Sequence, residues 1–234
     1  MKKLISGVLL SACAVVPQFV QAVTSGQTDT FAGGSLDNWF AGGLGFGSVP
    51  PVPPSVEATG GPGGTGDSYM LVTALGGSGP GSRIAVINTA QWSGNYLTSG
   101  VASIGIDLKN FGNTDLTVRL LFEDPMGGPP VDQAVTTMGV LLPAGSGWTH
   151  AVFDLSSSSF TVLSGALTPL LSNTTLIRII DSPTPTDAVP IVGKLGIDNV
   201  QAIPEPETYA LMIAGLSVLG FVAKRRKASS GTHG

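Results

Sequence analysis

Glycine and proline punctuate this chain densely, 33 and 17 among 234 residues. Outside the termini no amphipathic stretch is long enough for a helix of three turns. What lies between the clusters is a series of short runs in which apolar and polar residues alternate. Leu116-Thr-Val-Arg-Leu-Leu-Phe-Glu123 places Leu116, Val118, Leu120 and Phe122 on one face, and Thr117, Arg119 and Glu123 on the other, together with Leu121. Successive side chains of a strand point to opposite sides, so a period of two marks a half-buried strand. Trp148 to Leu155 repeats the pattern with Ala151, Phe153 and Leu155, and Val101 to Leu108 with Ile104, Ile106 and Leu108. Further strands are expected at Tyr69 to Leu75, Arg83 to Ile87, Ala134 to Leu142, Thr175 to Ile180 and Leu195 to Ala202.

Many short strands between turn signals predict an all-β chain, a single β-sandwich of jelly-roll type. The domain is expected over residues 23–203, which is 181 residues and enough for a substantial core. Ala41 to Ser68, with Pro50-Pro51-Val52-Pro53-Pro54 and the glycines of 60–66, reads as one long exposed loop. No internal repeat is present.

Cys13 is the only cysteine. If the chain is cleaved after Ala22, the mature protein has none, which excludes thiol catalysis, disulfides and Cys-ligated metal. Residues 23–203 hold five cations against 13 acids, a net charge of −8. Such a surface repels phosphate backbones, so nucleic acid is not an expected partner.

The termini carry the signals of export. Met1-Lys2-Lys3 is a basic start, Leu4 to Val16 is apolar, and Val20-Gln21-Ala22 offers small residues for cleavage. Residues 1–22 therefore read as a secretory signal peptide and its helix. A rival reading is the lipoprotein-like Leu10-Ser11-Ala12-Cys13, but the apolar run before that cysteine is short and continues past it.

At the other end, Pro204-Glu205-Pro206 precedes an uncharged apolar run over 209–223 and four cations, Lys224, Arg225, Arg226 and Lys227. The prolines keep the box extended, the apolar run partitions into a bilayer as a membrane helix, and the cations stay on the cytoplasmic side. As a helix, 209–223 would span ~22 Å, short of the ~30 Å hydrocarbon core. A permanent single-pass anchor is therefore the weaker reading, though Glu207 and Lys224 could snorkel to close the gap. Box, run and cations, in this order, closely resemble the PEP-CTERM sorting signal of Gram-negative bacteria. The resemblance covers residues 204–227 and implies transient residence in the inner membrane and processing at the box by a membrane-embedded exosortase. Delivery to the cell surface or extracellular space follows from it, as does association with exopolysaccharide and biofilm. Residues 228–234 are expected to be a disordered tail.

The core bears a looser resemblance. Asp29-Thr-Phe-Ala-Gly-Gly-Ser-Leu-Asp-Asn-Trp39, Ile106-Asp-Leu-Lys-Asn110, Trp148 to Leu155 and Gly196-Ile-Asp-Asn-Val200 fall in the order seen in carbohydrate-binding modules and galactose-binding-like jelly rolls. This implies first and last strands lying near one another. It also implies a structural calcium held by Asp29 and Asp198, although the acid commonly found after the first-strand aromatic is here Ala32.

Catalysis finds little support. His150 is the histidine of the domain, expected on a strand face with Trp148 and Asp154, and no Gly-x-Ser-x-Gly elbow accompanies it. Glu123-Asp124 precedes Pro125 at a turn, and adjacent acids on a strand diverge. The glycines of 60–66 lack the lysine of a phosphate loop. Aromatic faces can stack on sugar rings, and Trp92 and Tyr96, in a turn-rich stretch, are the pair expected to be exposed, whereas Trp39 and Trp148 read as core. The expectation is a non-enzymatic surface or matrix protein. The alternative is a carbohydrate-binding module with a defined glycan ligand.

Overall fold

The structure is a computed structural model that describes residues 22–42, 47–124, 129–205 and 217. The expected signal peptide, the 209–223 run and the 228–234 tail lie outside the described residues, Ala22 and Ser217 excepted. Among the described residues no helix is long and apolar enough to cross a membrane.

The strands are β1 (Thr28–Asp29), β2 (Phe40–Ala41), β3 (Ser55–Glu57), β4 (Tyr69–Leu75), β5 (Ala85–Asn88), β6 (Val101–Asn110) and β7 (Leu116–Asp124). They continue with β8 (Asp132–Thr136), β9 (Val140–Leu142), β10 (Thr149–Asp154), β11 (Phe160–Ser164), β12 (Leu176–Asp181) and β13 (Val192–Pro204), with one short helix, α1 (Leu167–Ser172), between β11 and β12. They form two antiparallel sheets. Sheet A runs β10-β6-β13-β4-β3, with β1 also on β13, and sheet B runs β11-β8-β7-β12-β5-β2, with β9 also on β7.

The core lies between the sheets. Met70, Val72, Ile104, Ile106, Leu108, Leu195 and Ile197 from sheet A meet Val86, Leu116, Val118, Leu120, Phe122, Ile177 and Ile179 from sheet B. These are the alternate positions of each strand, so the period-two pattern becomes the inner faces of a sandwich. The other face of β7 follows a different rule. Leu121 is fully buried there with Ala85, Val135, Ile180 and Ala188. The segment after β12 covers it, held by Ser182 N–H donating to Thr117 O and Ile191 N–H donating to Ser82 O.

The last strand organises sheet A. β4 pairs with β13 from Val192 to Ile197, and β1 takes over at Val200 and Gln201. First and last strands are therefore neighbours, as expected of a jelly roll. Between the two pairings β13 bulges: Asp198 faces Asp107, and the next register pair is Gln201 with Gly105. Asn199 sits there in the left-handed region, φ 48°, a conformation asparagine tolerates better than most side chains.

Ala41 to Ser68 is not one exposed loop. β3 pairs with β4, Val49 exchanges backbone hydrogen bonds with Ser78 and Gly81, and Gly61 N–H donates to Asp67 O. The expected strand Ala134 to Leu142 is divided into β8 and β9, which pair with different stretches of β7.

Candidate functional site

The outward face of sheet A gathers polar and aromatic side chains from five strands. Register aligns His150 of β10 with Asp107 of β6, Asp107 with Asp198 of β13, and Tyr69 of β4 with Glu57 of β3. His150 Nδ1 lies 2.7 Å from Asp107 Oδ1, and Asn199 Nδ2 donates to Asp107 Oδ2 at 2.7 Å. The bulge makes this possible, because it turns the side chains of two successive residues toward one side.

Asp198 is the unusual member. It is 1% exposed. Its Oδ1 accepts from Asn199 N–H at 2.8 Å, and its Oδ2 is buried without a partner. Burial pushes this carboxyl up to about 7, with Asp67 and Asp107 adding repulsion and the Asn199 N–H opposing. Asp67 belongs to the glycine turn above the sheet, where its Oδ2 accepts from Gly63 N–H at 2.6 Å.

Beside these acids stands an aromatic trio. Tyr69 stacks on Phe111 at 5.4 Å between ring centroids, and Trp148 meets Tyr69 edge-on at 5.3 Å. Trp148 Nε1–H donates to Gly60 O at 2.9 Å, which ties the glycine turn to the trio, and Lys109 Nζ lies 4.4 Å over the Phe111 ring. The rings pass directly over Gly196, where a Cβ would come within 2.6 Å of Phe111 and 3.0 Å of Trp148. Phe111 and Trp148 remain half exposed. Phe111 continues into an open cleft of about 280 Å³ with Thr73, Asn113, Thr114 and Lys194 in its wall.

The expected sugar-stacking pair is elsewhere. Trp92 and Tyr96 are buried in the core. Trp92 Nε1–H donates to Asp29 Oδ2 at 2.6 Å, and the Tyr96 hydroxyl donates to Trp92 O at 2.8 Å, with burial holding that hydroxyl above the usual tyrosine range. Neither ring face can reach a ligand. Trp148, expected in the core, is the tryptophan with an open face.

Asp29 and Asp198 do not come together. Asp29 faces inward beside Val200, and its Oδ2 accepts N–H groups from Trp39 (2.8 Å), Gln91 (3.1 Å) and Trp92. Asp198 pairs with Asp107, which alternates with the core residues Ile106 and Leu108, so it faces outward. A calcium shared between these two acids has no geometric basis. Among the described residues no group of three His, Cys, Asp or Glu side chains could hold a metal ion. A larger polar cleft, about 470 Å³, opens outside Asp29 and is lined by Gln27, Asp37, Asn38 and Gln91. The indoles behind Asp29 are buried, so this cleft offers no aromatic face.

The sorting residues begin where the fold ends. Ala22 is exposed and Val23 is buried, its N–H donating to Ser93 O at 2.7 Å. At the other end Pro204 pairs with Val101 as the last residue of β13, and Glu205 N–H donates to Gly100 O at 3.2 Å. Because β1 starts beside the end of β13, both termini leave the same pole of the sandwich. Pro206, Lys224, Arg225, Arg226 and Lys227 lie outside the described residues.

The strand pairing defines the class, an antiparallel β-sandwich of jelly-roll type. The chain carries a PEP-CTERM protein-sorting motif, matched over residues 202–227. No curated protein matches the chain. Among solved structures it is similar to a family 11 carbohydrate-binding module from Clostridium thermocellum, in complex with a β-1,3-1,4-mixed-linked tetrasaccharide. The identity is 18% and the TM-score 0.49, over 78% of this chain and 99% of that one. It is also similar to an exo-β-agarase, at 13% identity and a TM-score of 0.49, over 78% of this chain and 25% of that chain.

Proposed function

We propose that this chain is an exported, non-enzymatic cell-surface or extracellular-matrix protein, processed by an exosortase at its C-terminal box and associated with exopolysaccharide. The observation that carries this reading is the sorting motif over 202–227. The end of the fold supports it. Four residues separate Pro204 from the apolar run at Tyr209, at most ~18 Å of extended chain. A membrane-held tail would therefore keep the folded domain directly against the bilayer, and processing would release it. The non-enzymatic part rests on His150, whose side chain is 54% exposed on an open strand rather than enclosed in a cleft.

Replacing Pro204, Glu205 and Pro206 with alanine tests the proposal. The variant should be exported and should accumulate in the membrane as the unprocessed precursor. Processing at the wild-type rate would remove the box as the recognition element.

A second reading is favoured by the aromatic trio: a carbohydrate-binding module with a defined glycan. Half-exposed Phe111 and Trp148 offer apolar faces to sugar rings, and Asp107, His150 and Asn199 offer hydrogen bonds at the rim. Affinity electrophoresis of wild type and Trp148→Ala in gels containing the host's exopolysaccharide tests it. Wild type should be retarded and the variant should run freely, whereas equal mobility would leave only the surface-protein reading.

A further inference from the structure

Lysines are scarce in this domain. Residues 23–203 contain two, Lys109 and Lys194, against 13 acids. Both belong to the outward face of sheet A, since Lys109 follows the core residue Leu108 on β6 and Lys194 precedes the core residue Leu195 on β13. β6 and β13 are inner strands of that sheet. A lysine that guards a sheet against pairing stands on an edge strand, so these two need another reason. Among the described residues neither enters an ion pair.

The register brings them to one ring. Gly196 pairs with Lys109, and two residues further along β6 the Phe111 N–H donates to Lys194 O. Phe111 therefore lies across from Lys194, and Lys109 Nζ stands 4.4 Å over its centroid. Lys194 and Phe111 line the cleft of about 280 Å³, whose wall also holds Thr73, Asn113 and Thr114. The side chains of these three make no hydrogen bond to a described residue. Asp115, the acid beside this wall, is engaged elsewhere, its Oδ1 accepting from Ala144 N–H at 2.8 Å.

The acids of the face stand at the other end. Asp198, paired in register with Asp107, is four residues from Lys194 along β13, ~13 Å at the rise of a strand. The rings pass over Gly196 between them. The face therefore has a direction, with carboxylates at one end and ammonium groups at the other.

We propose that this cleft takes a carboxylated sugar, a uronate residue of an acidic polysaccharide, with its carboxylate toward Lys194 and Lys109 and its hydroxyls on Thr73, Asn113 and Thr114. The proposal rests on the glycan-binding reading above and names the sugar class of that site. A neutral glycan makes no use of two unpaired ammonium groups, whereas a carboxylate gives them charge-assisted hydrogen bonds. Asp107 and Asp198 repel the same carboxylate, so the acidic end fixes the direction in which the polysaccharide lies. The net charge of −8 over residues 23–203 opposes a polyanion at long range. Salt screens that repulsion more than it screens direct contacts inside a cleft.

Affinity electrophoresis of the full chain in mild non-ionic detergent tests the proposal. The gels contain the host's exopolysaccharide, or the same polymer after chemical reduction of its uronates to neutral sugars. Wild type should bind the native polymer on the order of tenfold more tightly than the reduced one, the scale of two exposed charge pairs acting together. Lys109→Gln and Lys194→Gln should each weaken binding to the native polymer by roughly threefold and the double variant by roughly tenfold, while Lys194→Arg should retain it. All these variants keep the cations of residues 224–227, so their differences report the cleft. Equal binding of wild type to both polymers overturns the uronate and leaves the glycan reading standing. Binding to neither overturns both. A double variant that binds the native polymer as wild type does also overturns the proposal.

Discussion

The two outer faces of this sandwich differ in what surrounds their buried charges: opposite charge and carbonyls on sheet B, further acids on sheet A. On sheet B the buried cations are held by acceptors, although Arg178 Nε and Asp124 Oδ1 are buried without a partner. Arg119 donates Nε–H to Ser182 O at 2.9 Å and Nη1–H to Thr136 O at 2.9 Å and Thr137 O at 2.5 Å, with Nη2–H reaching Pro183 O at 3.2 Å. Arg178 lies 2.8 Å from Glu123, and Gln133 donates to the same carboxylate at 2.9 Å. This network fastens the segment after β12 over Leu121 and closes the face. On sheet A the carboxylate of Asp198 is as deeply buried, yet one oxygen has no donor and two further acids stand near. A closed face uses charge to hold a cover in place. The face of sheet A leaves charge unbalanced beside half-exposed rings, the pattern expected where a fold gives up stability to keep a surface available.

Breaking the closed face should have the largest effect. Glu123→Ala removes the main partner of a buried arginine and should cost about 3–5 kcal/mol, because it strands the charge. The double variant Glu123→Met with Arg178→Met should cost much less, since both charges leave together. Urea unfolding of the full chain measures both. A single variant no worse than the double would mean the pair is not buried as described.

The open face should respond in the other direction. The Asp198 carboxyl has a folded value of about 7 against an ordinary 3.8. Between these values the folded state holds a proton that the unfolded state has released. Its contribution to stability is therefore full below pH ~4 and is lost as pH rises to ~7, at up to ~1.4 kcal/mol per pH unit. Asp198→Asn should flatten this slope and raise the melting temperature at neutral pH. A pH profile unchanged by the substitution would contradict the account of this carboxylate.

The smallest effect on stability is expected at the rings. Trp148 is only half buried, so Trp148→Ala should cost less than the ~3–5 kcal/mol of a core tryptophan, while any retention by polysaccharide disappears. A loss as large as that of a core residue would make the trio a structural cluster and nothing more.

The fold was legible in the sequence wherever a strand had one buried face. Tyr69 to Leu75 coincides with β4, and the alternations in 101–108 and 116–123 run as expected. Leu121 shows the limit, because its burial depends on a cover supplied some 60 residues later, which periodicity cannot register. Trp92 shows another. A turn-rich setting suggested exposure, but the carboxylate of Asp29 reaches into the core and gives two indole N–H groups their acceptor. The presence of two tryptophans near a lone acid was the available signal. The trio of Tyr69, Phe111 and Trp148 was not legible, because three distant segments meet only through the register of β4, β6, β10 and β13. The C-terminal sorting motif was legible as chemistry, since its composition needs no tertiary context.

Both faces matter to the cell only if the domain is displayed outside it, so the direct test is the intact mass of the protein recovered from the surface fraction of its native host. The account predicts a chain that begins at Val23, carries no lipid on residue 13 and ends at the Pro204–Pro206 box. A mass that still includes the apolar run and the cations through Lys227, or an acylated Cys13, would contradict it.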